Sequence, residues 1–272
     1  MRRASFVRVL IILLSAFLFA RPHGSPGAAE PDAEAATRLL RFPTLSRDSI
    51  AFIYAGDVWA VPRSGGVARQ LTSDPGLELF PRYSPDGSLI AFTGQYDGNR
   101  DVYVVPAEGG EPKRLTFWTD TGQPSERAGP NNMVIGWTPD GKRVLFRSRH
   151  QAWEDRAGRL YTVGLDGGLP EPLPMPEGGL AAFSPDGRQL VYNRIWRNFR
   201  TWKRYRGGMT QNLWIYDLPG NRLEKLTEND NISTEPAWIG DRIYFNSDRD
   251  RICNLFSIDP ASRKVTKLTD HR

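Results

Sequence analysis

The chain has 272 residues, of which 39% are hydrophobic and 25% charged, a composition that excludes a disordered polypeptide and suits one large β domain or two small ones. The formal net charge of +5 comes mostly from residues 1–29, which hold four arginines and no acid; the remainder has 32 basic and 31 acidic residues and gives no support to generic nucleic-acid binding. The single cysteine, Cys253, excludes an intramolecular disulfide, and its setting, RICNLFSI, predicts a small buried side chain in a strand.

Residues 1–29 have the layout of a secretory signal peptide. Arginines at positions 2, 3 and 8 precede an apolar run at residues 9–20, and small residues follow at 27–29. The run has 12 residues, whereas a membrane-spanning helix needs about 20. We therefore expect a cleaved signal, no stable membrane span, a linker at residues 30–38 and a periplasmic or secreted protein. An uncleaved N-terminal anchor is the alternative.

A short motif recurs along the rest of the chain. Its copies are SPDGSLIAF at 84–92, TPDGKRVLF at 138–146 and SPDGRQLVY at 184–192, with shorter relatives SRDSIAF at 46–52 and IGDRIYF at 239–245. The closing aromatic residue returns at intervals of 40 to 54 residues. The Asp-Gly dipeptide is typical of a tight hairpin in which both central residues have positive φ.

A second strand with a central aromatic residue follows each motif: DVWAV from 57, DVYVV from 101, RLYTV from 159, NLWIY from 212 and NLFSI from 254. A Gly-containing turn and a short strand come next, and four units end in Leu-Thr, whereas the third has EPLPMP. Four antiparallel strands per unit predict an all-β propeller with blades at about 39–76, 77–120, 131–178, 179–230 and 231–270. A sandwich or barrel with irregular hairpins is the alternative.

Residues suited to catalysis are scarce. The histidines are His23, His150 and His271, and of these only His150 falls within a predicted blade. The sequence has no G-x-S-x-G elbow and no His/Cys cluster with metal-ligand spacing. We assign no catalytic residue, no metal and no cofactor to this chain, and we interpret it as a scaffold or binding module.

The fourth unit carries an insertion, NRIWRNFRTWKRYRGGMTQ, between its second and third strands. It alternates basic and aromatic residues without an acid. Such side chains could hold a carboxylate or grip a peptide, or they could pack against a neighbouring domain. Our candidate contact residues are Arg197, Arg200, Trp202, Lys203, Arg204, Tyr205 and Arg206.

The segment WKRYRGG followed by LWIYD, within an SPDG-type propeller, resembles the tricorn peptidases, and so does the opening unit LLRFPTLSRDSIAFIYAGDVWAVPRSGG. The resemblance covers residues 39–270. It implies the N-terminal six-bladed propeller of a large, hexameric serine peptidase that degrades short peptides, with catalysis in a C-terminal domain. Five of six blades are then present, and we expect a truncated chain that lacks the catalytic domain.

Two features depart from the family. The resemblance implies a pair of arginines between the second and third blades that hold the substrate C-terminus, but TGQPSERAGPNN at 121–132 offers only Arg127, a weak anchor candidate beside Glu126. The signal peptide is also a departure from the archaeal-type enzymes of the family. The resemblance to those enzymes implies a cytoplasmic location, which is the alternative to export.

The leading hypothesis is a non-catalytic propeller that gates and guides peptides, with the remaining peptidase domains and further copies of the chain as partners. An exported Tol-like protein-interaction propeller is the alternative. A single-stranded nucleic-acid binder that uses the insertion is a third hypothesis, which export and the near-neutral body disfavour, and we expect no nucleic-acid partner.

Overall fold

Each copy of the repeat forms one four-stranded antiparallel sheet. The computed structural model describes residues 39–118, 131–153, 157–196, 205–227 and 231–271. Within these ranges, neighbours in a sheet are always neighbours in sequence, so every sheet is a simple meander. The strands are β1 (Arg41–Leu45), β2 (Ser49–Tyr54), β3 (Asp57–Pro62) and β4 (Arg69–Gln70) in the first sheet; β5 (Glu78–Tyr83), β6 (Leu89–Gly94), β7 (Asp101–Pro106) and β8 (Lys113–Arg114) in the second; β9 (Met133–Trp137), β10 (Arg143–Ser148), β11 (Arg159–Gly164) and β12 (Gly167–Pro172) in the third; β13 (Ala181–Phe183), β14 (Gln189–Asn193), β15 (Leu213–Asp217) and β16 (Arg222–Lys225) in the fourth; and β17 (Ser233–Ile239), β18 (Arg242–Ser247), β19 (Asn254–Ile258) and β20 (Val265–Lys267) in the fifth.

The hydrophobic core lies between consecutive sheets. One cluster joins the first and second sheets and includes Val58 and Phe92, and another joins the second and third and includes Phe146. Because both faces of an inner strand are covered, β7 is buried from Asp101 to Val105 rather than on alternate residues only. The described residues thus form five blades of an all-β propeller, which confirms the predicted fold class.

The SPDG turns differ in detail from the prediction. In the second blade the Gly87 N–H donates to the Ser84 carbonyl at 2.9 Å, so Pro85 and Asp86 are the central residues of the turn. Only the glycine has positive φ, at 76°, whereas the Asp-Gly hairpin prediction required it at both central residues. The Ser84 hydroxyl donates to Asp86 at 2.5 Å and accepts from the Leu89 N–H at 3.0 Å, which explains why serine or threonine opens the motif.

The Leu-Thr pairs that end four of the repeats close their blades. In each, the threonine Oγ1 accepts the N–H of the residue 14 positions earlier, near the start of the third strand. The distances are 2.9 to 3.0 Å for Thr72, Thr116, Thr227 and Thr269. The third blade has proline after Leu173, and it keeps only the backbone bond from the Leu173 N–H to the Leu160 carbonyl at 2.9 Å.

The first strands of consecutive sheets contact one another and therefore surround the centre of the blades. In β1, β5 and β17 a bulge contains a residue with positive φ directly before a proline: Phe42 at 51°, Phe80 at 55° and Glu235 at 57°. Bulges re-aim side chains, and here the rings of Phe42 and Phe80 meet at 4.4 Å between centroids. The dipeptides Phe-Pro, Phe-Pro and Glu-Pro are the sequence signal of these bulges, which the strand predictions did not include.

Cys253 is exposed and lies one residue before β19, so the prediction of a buried side chain within a strand is wrong. The strand begins at Asn254, and the thiol belongs to the loop that precedes it.

Among the ranges that the structure describes, no helix is long and apolar enough to cross a membrane.

Candidate functional site at the insertion-bearing end

The strand register fixes the end of the blades at which the insertion lies. The second and third strands of each sheet are paired up to their connecting loop, as Asn193 with Leu213 and Gly94 with Asp101 show. The insertion therefore lies at the same end as these loops and as the connections between blades. The SPDG turns lie at the opposite end. We call the first of these the insertion face.

Most of the predicted contact residues lie outside the described ranges. These are Arg197, Arg200, Trp202, Lys203 and Arg204 of the insertion, together with Arg127. Of the two that are described, Tyr205 is half-buried. Arg206 makes an ion pair with Asp248 of the fifth blade, 3.4 Å apart, and donates to Asn231 Oδ1 at 3.2 Å.

A turn brings the insertion back to its blade. The N–H and the hydroxyl of Thr210 both donate to the Gly207 carbonyl, at 3.0 and 2.8 Å. Gly207 has φ of 155°, and a Cβ at this position would lie 2.5 Å from the Tyr205 hydroxyl oxygen. Glycine suits this position because of its backbone conformation, and a Cβ here would displace the Tyr205 side chain.

A cavity of about 370 Å³ opens where the insertion leaves and rejoins the fourth blade; we call it the basal pocket. Two cations lie close to the ring of Trp214, with Arg194 Cζ 5.5 Å and Lys225 Nζ 5.6 Å from its centroid. The Arg194 Nε donates to the Glu177 carboxylate. The described residues that line the basal pocket are Arg194, Ile195, Gly207, Gly208, Thr210, Gln211, Asn212, Trp214 and Lys225.

A larger cavity, of about 1280 Å³, lies among the first strands of the five blades; we call it the central cavity. Its lining includes Trp196, which follows β14 on the insertion side, and Pro85, Pro139 and Pro185 of the SPDG turns on the other side. The lining is therefore continuous between the two ends of the blades. Most of the other lining side chains are apolar, such as Met133.

Among the described residues that line the central cavity, the charged ones are Arg82 and Glu235. Burial lowers the pKa of Arg82, although the negative charge of Glu235 acts in the opposite direction. The Arg82 guanidinium donates to the carbonyls of Ile135 and Pro81, both at 2.9 Å, and so ties the second blade to the third. Arg82 is accordingly a structural cation, whereas the exposed Glu235 can meet a ligand.

Buried polar groups stabilise the insertion face. Glu78 is fully buried and accepts the N–H of Val58 at 2.7 Å as well as the hydroxyl protons of Thr72 and Tyr96. Burial raises the pKa of Glu78 despite these three donors. Because Glu78 opens the second blade and two of its partners belong to the first, this carboxyl connects consecutive blades.

Arg147 lies close to the mouth of the central cavity. It is fully buried, and burial lowers its pKa to about 10. Its guanidinium carbon lies 5.4 Å from the ring centroid of Trp196, which lines the cavity. No short motif marks Arg147 in the sequence, because the aromatic ring that it contacts, Trp196, belongs to the fourth blade.

His150 is a packing residue in this arrangement. Its ring stacks on Trp118 with centroids 4.0 Å apart and planes 16° apart. The hydroxyl of Tyr161 donates to the His150 backbone carbonyl at 2.7 Å. In the part of the chain that the structure describes, no group of three His, Cys, Asp or Glu side chains is suited to a metal ion.

These features define a β-propeller with a cavity along its centre and a modified loop at one end. The family described as the tricorn protease N-terminal beta propeller domain matches residues 37–272, and the chain belongs to this family. It is 36% identical over 232 residues to tricorn protease homolog 1 of Streptomyces coelicolor, covering 85% of this chain and 20% of that protein.

Solved structures agree with this assignment. The crystal structure of the tricorn protease matches with a TM-score of 0.73 and 28% identity, over 86% of this chain and 22% of that one. TolB from Acinetobacter baumannii matches with a TM-score of 0.62 and 20% identity, over 84% of this chain and 54% of that one, which shows a shared fold. The chain thus spans about a fifth of the length of these two tricorn proteins.

Proposed function

We propose that this chain is the peptide-guiding propeller of an exported, tricorn-like serine peptidase, without catalysis of its own. The observation that carries the proposal is the central cavity, whose lining runs from Trp196 at the insertion face to the SPDG turns at the other end. Family membership supports an association with a peptidase. The remaining domains of such a peptidase and further copies of this chain, as in a hexamer, are its proposed partners.

The lining of the central cavity suits an unfolded peptide. Aromatic and aliphatic side chains can contact apolar peptide side chains without specific hydrogen bonds, so they can accept many sequences. Arg82 is engaged by backbone carbonyls, and Glu235 is an exposed carboxylate that accepts from the Asn246 side-chain amide at 2.6 Å. We therefore expect the central cavity to bind short apolar peptides more tightly than acidic ones.

A binding experiment tests the proposal. Fluorescein-labelled, amidated hexapeptides rich in leucine and phenylalanine are titrated into the purified chain, and fluorescence anisotropy reports binding while mass spectrometry reports cleavage. We expect saturable binding and intact peptide. Ala237→Arg, which places a charge in the central cavity, should weaken binding about tenfold.

The control for that variant is Val67→Arg, at a residue that is 91% exposed on a turn of the first blade. It should bind peptide like the unmodified chain. Hydrolysis that copurifies with the chain, or binding that is insensitive to Ala237→Arg, would contradict the proposal. An exported Tol-like interaction propeller, the alternative, would instead bind folded proteins at its surface and show no saturable peptide binding.

Export is a separate part of the proposal, and it depends on residues 1–29. A fusion of the chain to a reporter that is active only outside the cytoplasm should give signal, and replacement of the apolar run at residues 9–20 by polar residues should abolish it. Equal signal from both fusions would contradict export and favour the cytoplasmic location of archaeal-type enzymes.

A further inference from the structure

The other blades show which contacts the residues at the position of Lys225 normally make, and so allow a comparison with the basal pocket. In four blades, the aromatic residue at the centre of the third strand pairs across the sheet with a polar residue of the fourth strand. The fourth-strand residues are Gln70, Arg114, Lys225 and Lys267 in the first, second, fourth and fifth blades. Because these positions are equivalent, differences in their partners are informative.

Acids of the same blade satisfy three of these residues. Arg114 pairs with Asp101 at 2.6 Å and with Asp97 at 3.0 Å. Lys267 pairs with Asp250 at 2.9 Å and with Asp270 at 2.7 Å. In the first blade, Gln70 donates to Asp57 at 3.0 Å.

The fourth blade lacks this arrangement. The residue equivalent to Asp57 and Asp101, at the start of the third strand, is Asn212. The fifth blade likewise has Asn254 there, but Asp250 and Asp270 neutralise its lysine. Lys225 has no ion pair with any residue that the structure describes, and its ammonium group instead lies 5.6 Å from the Trp214 centroid. Within the described residues, Lys225 is therefore a cation at the basal pocket without an acid of its own blade beside it; Glu228, in the sequence position of Asp270, lies outside those residues.

The rest of the pocket defines that partner. Arg194 uses Nε for Glu177, and its terminal nitrogens make no hydrogen bond within the described part of the chain. Asn212 Oδ1 is buried and has no hydrogen-bond partner there. A group that carries a negative charge beside an N–H donor would satisfy all three residues, and the indole of Trp214 would contact its apolar part.

We propose that the basal pocket binds a peptide carboxylate, either the C-terminal group or an Asp or Glu side chain, in the place that an internal aspartate takes beside Arg114. The amide N–H next to the carboxylate would donate to Asn212 Oδ1. The volume of about 370 Å³ is within the range of small-ligand sites, roughly 300–1,000 Å³. The peptide identity of the ligand rests on the proposed function; the carboxylate preference rests on the pocket alone.

Small probes test the pocket apart from the central cavity. N-acetylleucine, N-acetylleucinamide and the α-amide of N-acetylglutamate are titrated into the purified protein, and the indole N–H resonance of Trp214 is followed by NMR. Trp214→Phe identifies that resonance. N-acetylleucine should shift it saturably and the neutral amide should not; a shift by the glutamate derivative would show that a side-chain carboxylate also serves.

Variants at equivalent positions sharpen the test. Lys225→Gln should weaken N-acetylleucine binding about five- to tenfold, whereas Lys267→Gln should leave it unchanged because that lysine is already paired. Asn212→Asp restores the acid found in the second blade, and it should abolish binding while leaving the protein at least as stable. Ala237→Arg should not affect these probes, which separates this proposal from the function of the central cavity.

Three results would overturn the assignment. The first is equal binding of N-acetylleucine and its neutral amide. The second is equal loss in Lys225→Gln and Lys267→Gln, and the third is a shift of the Trp214 resonance by inorganic phosphate at lower concentrations than by N-acetylleucine. If the probes behave as expected but hexapeptides do not bind in the central cavity, the assignment of the basal pocket is retained and the proposed function is rejected.

Discussion

Glu78 shows how a single residue can couple two blades. Its carboxyl accepts from Val58 and Thr72 of the first blade and from Tyr96 of the second. Burial raises its pKa, so the native state binds this proton more tightly than the unfolded chain does. The contribution of Glu78 to stability is therefore greatest at low pH and is lost as the pH rises from the ordinary carboxyl range through the raised native pKa.

Glu78→Gln should remove this pH dependence. The amide can accept from the Val58 N–H and donate to the Tyr96 hydroxyl, so the fold should persist. Between pH 4 and 7, the free energy of unfolding of the variant should rise relative to that of the unmodified protein, as measured by urea denaturation. Asp101, whose pKa burial also raises, is common to both proteins and cancels in the comparison. Parallel curves of unfolding free energy against pH for the two proteins would contradict this account.

The threonine of the Leu-Thr pair that closes the second blade gives another prediction for a single residue. Thr116 accepts the Val102 N–H at 2.9 Å and donates to the buried Asp101 at 2.6 Å. Thr116→Val keeps the shape of the side chain but removes its hydrogen bonds to the Val102 N–H and to Asp101. It should therefore lower the free energy of unfolding by about 1–3 kcal/mol. Thr116→Ser keeps the hydroxyl and should lose much less; equal losses would show that the methyl group matters instead.

At the scale of the element, local chemistry could be read from the sequence and long-range chemistry could not. The SPDG motifs predicted turns and the period of aromatic residues predicted strands, because both depend on neighbours within a few residues. Arg82 and Arg147 depend on partners in other blades, which one sequence does not reveal. The difference at Lys225 could have been found by aligning the repeats, since Asn212 stands where the first and second units have Asp57 and Asp101.

The turn between β9 and β10 gives a prediction at this scale. Gly141 has φ of 70°, and a Cβ there would meet only Pro85 at an ordinary 3.6 Å. Gly141→Ala should therefore cost about 1–2 kcal/mol through backbone strain alone. Gly136→Ala in the adjoining strand is the matched control, because that glycine lacks positive φ and has open space around its Cα. Similar losses in thermal denaturation would argue against backbone strain as the cause.

At the scale of the whole molecule, each blade depends on the faces of its neighbours. Phe146 is fully buried in the cluster between the second and third blades. Its ring stacks on Tyr161 at 5.7 Å, and Trp118 lies 6.1 Å away. A sheet of four short strands cannot bury its apolar residues alone, so stability comes from contacts between consecutive blades.

Phe146→Ala should lower the free energy of unfolding by about 3–5 kcal/mol. Amide hydrogen exchange should show that protection is lost first in β7, β10 and β11, whose residues share the cluster, and last in β19. Val67→Arg, on an exposed turn, should leave exchange unchanged. Uniform acceleration in every strand would show that the blades unfold as one unit rather than through their interfaces.

The meander order of the strands has a consequence for synthesis. Every sheet pairs only strands that are adjacent in the chain, so the second blade needs only Glu78–Arg114 to pair its four strands. Its apolar face toward the third blade nevertheless stays uncovered until Met133–Pro172 has emerged from the ribosome or translocon. Folding during synthesis would thus proceed one blade behind the growing end of the chain. At each stage the newest blade would expose an apolar face that a chaperone could cover.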